Sequence, residues 1–124
     1  MKIYKNKWFA KFAKKEKISD EKLIKAVKEI EAGNIDADYG GGVIKQRIAR
    51  PGEGKSGGYR SIILYIKGNR AFFVYGFSKK DQDNITDDEA AYFKKLAKLT
   101  LVMSDADLMA LLKEGIYEEV GNNG

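Results

Sequence analysis

The chain has 124 residues, 44% of them hydrophobic, a size and composition that build one domain around one modest core. It carries a net charge of +5, no cysteine and no histidine. Disulfides, thiolate metal sites, imidazole bases and every Ser-His or Cys-His nucleophile pair are therefore excluded.

The opening, MKIYKNKWF, is too polar for the apolar core of a signal peptide, and no apolar run reaches the ~18 residues of a membrane span. A chain with no membrane association, working in the cytoplasm, is the expectation. IYKN (3–6) reads as a short first strand. Asn6 then caps a helix with Trp8, Phe9, Phe12 and Ala13 at helical spacing and Lys7, Lys11, Lys14 and Lys15 outside. Ser19, followed by Asp20 and Glu21, opens a second helix carrying Leu23, Ile24, Val27 and Ile30, and Gly33 stops it. The two form an αα-hairpin.

GGG at 40–42 reads as a flexible joint, and VIKQRIAR (43–50) as the second strand, with Ile44, Gln46 and Ile48 alternating against Lys45 and Arg47. Pro51 and the glycines to position 58 make a loop. Its Gly54-Lys55-Ser56 is no P-loop, because position 49 is Ala49 where a glycine is required and a strand follows rather than a helix. YRSIILYIK (59–67) and RAFFVYGFS (70–78) are strands, and Gly68-Asn69 between them predicts a two-residue hairpin turn. That register pairs Lys67 with Arg70, Leu64 with Phe73, Ile62 with Tyr75 and Arg60 with Phe77. Arg60, Ile62, Leu64, Phe73, Tyr75 and Phe77 would share one face, joined by Lys79 if the strand runs on. Ile63, Tyr65, Phe72 and Val74 would take the other.

Thr86-Asp87-Asp88-Glu89 is a capping box opening a helix with Phe93, Leu96, Ala97 and Thr100 on one face. Ser104 starts another helix, with Leu108, Leu111 and Leu112, ended by Gly115. IYEEV (116–120) is a short terminal strand, and GNNG (121–124) is expected to be a disordered tail behind a single domain of residues 1–120.

Charge is concentrated at the centre. Lys45 to Lys80 holds nine basic residues and one acid, Glu53, a net of +8, while the rest of the chain nets −3. A solvated basic surface is the plain reading. An anionic ligand, nucleic acid first, is the sharper one. Cleavage of RNA by its own 2′-hydroxyl needs a base, charge to stabilise the phosphate, and an acid for the leaving 5′-oxygen. Without metal or histidine these roles fall to lysine, arginine and tyrosine. Arg60, Lys79, Lys55 and Tyr75 are the candidate catalytic residues. Lys45, Arg47 and Lys80 are the candidate RNA-binding residues. Neither metal nor organic cofactor is expected.

The stretch GKSGGYRSIILYIKGNRAFFVYGFSKKDQDNITDDE resembles the signature of the RelE/ParE toxin superfamily, in its HigB-like branch. The resemblance is strong over about 55–101 and holds in organisation elsewhere. It implies an α+β fold, a small antiparallel sheet with an N-terminal αα-hairpin and C-terminal helices. It also implies ribosome-dependent cleavage of translated mRNA, growth arrest, and neutralisation by a cognate antitoxin of helix-turn-helix type. By the same resemblance Arg60 stabilises the transition state, Lys79 serves proton transfer or phosphate binding, and Lys55 fills the loop position. The departure is the tyrosine RelE carries near its C-terminus, for which Tyr117 comes late and in another context. ParE-like relatives, which bind gyrase without catalysis, are the alternative, and the basic cluster argues against them.

Overall fold

The computed structural model describes residues 1–49 and 58–121. Six strands form one sheet in the order β2-β3-β4-β5-β1-β6. The first strand, β1 (Lys2–Asn6), lies parallel to β5 (Arg70–Ser78), and every other pairing is antiparallel. The α+β class and the mostly antiparallel sheet follow the expectation.

α1 (Lys7–Glu16) starts where β1 ends. The Asn6 side chain accepts the Phe9 N–H at 2.8 Å, capping the helix, and its amide donates to the Val74 carbonyl at 3.2 Å. One side chain thus fixes both the helix start and its position over β5. Lys17, left-handed at φ 57°, closes α1, and Ser19 caps α2 (Asp20–Glu31). Phe9 and Ala13 of α1 and Leu23, Ala26, Val27 and Ile30 of α2 cover one sheet face, against Ile44, Ile48, Ile63, Ala71 and Phe73.

The glycines at 40–42 are a turn, not a joint. They link β2 (Ala37–Gly40), a strand the sequence reading missed, to β3 (Val43–Ile48), and all three have φ between 63° and 86°. These positive φ values favour glycine through the turn, and a β-carbon on Gly42 would also push the end of the Leu101 side chain aside, at 2.6 Å. β3 ends at Ile48, short of the expected 50. The loop expected at 51–58 lies outside the described residues except for Gly58.

β4 (Tyr59–Ile66) and β5 pair as expected near Arg60 but not near the turn. The turn has three residues, 67–69, so Ile66 faces Arg70, and a bulge between Ile62 and Ile63 restores the pairs Ile62–Tyr75 and Arg60–Phe77. Beyond the bulge, Leu64 therefore faces Phe72 rather than Phe73. Phe72 and Val74 lie on the Arg60 face, and Phe73 packs on Phe9 on the other. The extra residue is what flips them.

The Arg60 face is covered by α3 (Asp87–Thr100), opened by the predicted capping box, and by α4 (Asp105–Lys113). β6 (Tyr117–Glu119) closes the sheet beside β1. The Gly121 N–H donates to Asp20, and positions 122–124 of the expected tail lie outside the described residues. Among the described residues no helix is long and apolar enough to cross a membrane.

Candidate functional site

Arg60 is 7% exposed, although it stands one residue inside β4. Its cross-strand partner on β3 is Arg47, and Lys45 opposes Ile62 on the same face. Like charges directly opposed across strands repel, so this arrangement needs a counter-charge. Asp36 supplies it. Its Oδ2 lies 3.3 Å from Arg60 Nε and 3.7 Å from Lys45 Nζ.

Asp36 is itself held from the opposite side of β3. Gln46, 5% exposed, accepts the Asp36 N–H at 3.0 Å and donates to the carbonyls of Asn34, at 2.8 Å, and Ala26, at 3.4 Å. A buried amide satisfied by three backbone groups pins the segment between α2 and β2. Its carboxylate is thereby delivered across the sheet edge onto Arg60. Arg60 Nη1 also donates to the Tyr59 carbonyl at 3.4 Å. A guanidinium has five N–H donors in a fixed fork, more than the two acceptors it meets among the described residues use, and those two set its aim.

Beside it lies an open cleft of about 720 Å³ whose lining includes Lys22, Lys25, Asp36, Gln46, Arg47 and Arg60. Four of its lining side chains are cationic and two, Glu29 and Asp36, are acidic, which leaves a net positive charge. An anion that offers two oxygens to the fork of a guanidinium, such as phosphate, fits that chemistry. Among the described residues no group of three or more His, Cys, Asp or Glu side chains is placed to hold a metal ion.

Tyr75 lies on the same face but is packed more than displayed. Its ring contacts Trp8, Phe77 and Phe93 at centroid distances of 4.7, 6.1 and 5.8 Å, and its hydroxyl donates to Gln82 Oε1 at 3.2 Å. Burial pushes that hydroxyl above the ordinary phenol range, and Glu89 adds to the effect while the bond to Gln82 opposes it. Tyr75 is therefore a neutral phenol throughout the physiological range, able to donate a proton and unable to act as a base there.

The strand does not run on to Lys79. β5 ends at Ser78, whose carbonyl accepts the N–H groups of Asp81 and Gln82 and whose hydroxyl donates to Asp81. Lys79 and Lys80 are exposed on that turn. They do stand at the same end of the sheet as Arg60, because Ser78 pairs with Tyr59. Lys55 lies outside the described residues. Tyr117 belongs to the core, 8% exposed and edge-on to Phe72.

The sequence reading missed Asp36 and Gln46. Along the chain Asp36 precedes the basic stretch that starts at Lys45, whereas the β2–β3 hairpin folds it back beside that lysine. Ala37 pairs with Lys45, so recognising the glycine turn would have exposed the neighbour.

No curated protein matches the sequence. The family model described as the RelE toxin of the RelE/RelB toxin–antitoxin system matches residues 1–120, nearly the whole chain. With the α+β sheet and helices in place, the chain belongs to this family of toxins, whose members pair with a cognate antitoxin.

Proposed function

We propose that the protein is a HigB-like, ribosome-dependent mRNA endoribonuclease acting in the cytoplasm and restrained by an antitoxin of helix-turn-helix type. The observation that carries this reading is the buried Arg60 guanidinium, aimed by Asp36 into a cationic cleft. A sheet that needed only stability would place an apolar side chain there.

In the reaction, the substrate 2′-oxygen bonds to the adjacent phosphorus as it loses its proton. The bond from phosphorus to the 5′-oxygen breaks, and that oxygen takes up a proton. The products are a 2′,3′-cyclic phosphate and a 5′-hydroxyl. Arg60 stabilises the charge that builds on the phosphate oxygens, where a fixed donor contributes most. Lys45, Arg47 and Lys80 carry the flanking phosphates. Tyr75, held neutral, serves as donor or stacking surface. Lysine is the residue type left to take the 2′-hydroxyl proton, which makes Lys79 and Lys55 the candidates.

The test is induction of the chain without its antitoxin, followed by mapping of mRNA ends. New ends inside translated codons, bearing 5′-hydroxyls and lost in Arg60→Ala, are the expected result. An untranslated copy of the same transcript should stay intact. Growth arrest with DNA damage and no new ends would instead establish a gyrase-binding toxin.

A further inference from the structure

Trp8 is the chain's only tryptophan, and it is 45% exposed at the start of α1. A large apolar ring left half in solvent on an otherwise lysine-rich helix is unusual for packing alone. The ring is nonetheless fixed. It stacks on Phe12 at a centroid distance of 5.4 Å and an interplanar angle of 17°, and it lies 4.7 Å from Tyr75. Phe12 in turn meets the edge of Tyr59, whose hydroxyl donates to Glu16 at 2.7 Å. An aromatic row thus crosses from β5 to β4.

The surroundings of this row are cationic. Lys11 and Lys15, three and seven residues on, share the Trp8 side of α1, and Lys7 precedes it. The first turn of α1 contains no acid. Lys79 and Lys80 follow β5 at the same end of the sheet, and the row reaches the candidate site through Tyr75, Phe77 and the Arg60 that pairs with Phe77. A preset indole face among lysines is chemistry for an unpaired nucleobase with phosphates on either side.

We propose that Trp8 is a stacking platform for an unpaired base of single-stranded RNA, extending the RNA path from the Arg60 cleft onto α1. The inference rests on the RNA-cleaving reading above. The Trp8–Phe12 stack holds the platform, and Lys11 and Lys15 bind the adjoining phosphates.

The experiment is a titration of the full chain with a fluorescein-labelled, single-stranded 2′-O-methyl oligonucleotide, which has no free 2′-hydroxyl to attack. Trp8 emission should be quenched at the RNA concentration that saturates anisotropy. Trp8→Leu should weaken binding about 5- to 100-fold and Trp8→Phe by much less, as loss of one base stack requires. If Trp8→Leu fails to fold by circular dichroism, quenching in the wild type and the affinity of Trp8→Phe decide. Binding without quenching, unchanged affinity in Trp8→Leu, no RNA binding at all, or a Trp8→Leu defect confined to antitoxin binding would each overturn the platform. The two readings separate in the mRNA-end assay. Wild-type cleavage with a silent Trp8 removes the platform alone, whereas a wild type that cuts nothing removes the nuclease.

Discussion

The Asp36 carboxylate lies between two cations, 3.3 Å from Arg60 Nε and 3.7 Å from Lys45 Nζ, and it is delivered there by a segment pinned to Gln46. It offsets the charge of Arg60 and Lys45 and orients the guanidinium. Asp36→Ala should cost about 1–2 kcal/mol, toward the low side of a charged hydrogen bond because the carboxylate is 35% exposed. In a cycle with Arg60→Met, read by urea denaturation, the two changes should couple by about 1 kcal/mol. Asp36→Asn keeps the shape and loses the charge, and it should slow mRNA cutting about 10- to 100-fold in cell-free translation, since a loosened guanidinium is misplaced at the transition state. Full cutting by Asp36→Asn would show that Arg60 needs no aiming.

Gly76 is the second position where backbone and function meet. A β-carbon there would stand 2.6 Å from Phe12 Cε2, directly against the ring that backs Trp8. Gly76→Ala should therefore destabilise the chain by about 1–3 kcal/mol and displace the aromatic row. At about 4 °C per kcal/mol for a chain of this size, the melting midpoint should fall by several degrees. Phe12→Leu should recover part of that loss when combined with Gly76→Ala, and simple additivity would show that the ring is not what the methyl strikes.

Most of this architecture was legible because local signals agreed with one another. The caps at Asn6, Ser19, Thr86 and Ser104 start four helices where the side-chain chemistry says they should. What failed was non-local. Gly68-Asn69 predicts a two-residue turn, but Lys67 joins the turn, and the bulge that compensates has no sequence mark. The two errors cancel at Arg60 and Tyr75, so the register was right at the site and wrong beside the turn. ADYG was too short and too polar to read as a strand, and with it went Asp36. Lys79 would join the Arg60 face only if the strand ran on, and the Ser78 carbonyl closes the chain into a turn instead.

Tyr65 carries a buried hydroxyl without a hydrogen-bond partner among the described residues. Burial raises its pKa above the ordinary phenol value, and Glu31 adds to this. An unmet hydroxyl of this kind costs part of its hydration, about 1 kcal/mol or more. Tyr65→Phe should leave stability unchanged or raise it by up to about 1 kcal/mol, measured by urea denaturation at neutral pH. A clear loss would reveal a water or partner serving the hydroxyl.

Stability should depend on pH only toward the extremes. The chain has no histidine and no cysteine to titrate near neutrality. Asp20 is subject to burial, which raises its pKa, but the Gly121 N–H and Lys5 outweigh it and hold the carboxyl below its usual range. The folded state therefore binds fewer protons there, and the stability Asp20 gives is present above its unfolded value and lost as pH falls through the folded one. Tyr4, Tyr39, Tyr65 and Tyr75 behave oppositely, each held up first by burial. Their contribution is complete below about pH 10, the unfolded phenol value, and is lost as pH rises through the folded ones. Urea midpoints should be flat from about pH 5 to 8.5 and fall on both sides, and Asp20→Asn should flatten the acid limb alone.

Arg70 anchors the C-terminal helices. It is 8% exposed, its Nη1 donates to the Met103 carbonyl at 2.7 Å, and its Nη2 meets Asp105 Oδ1 at 2.7 Å. The two bonds should not weigh equally. Asp105 is wholly exposed, so water replaces its carboxylate readily, whereas the Met103 carbonyl holds the segment that turns α3 into α4. Arg70→Ala should cost about 2–3 kcal/mol through the lost charged bond and the emptied packing of its stem. Asp105→Ala should leave the urea midpoint where it is. Equal losses in the two variants would mean that the ion pair, not the carbonyl bond, fixes α4 against the sheet.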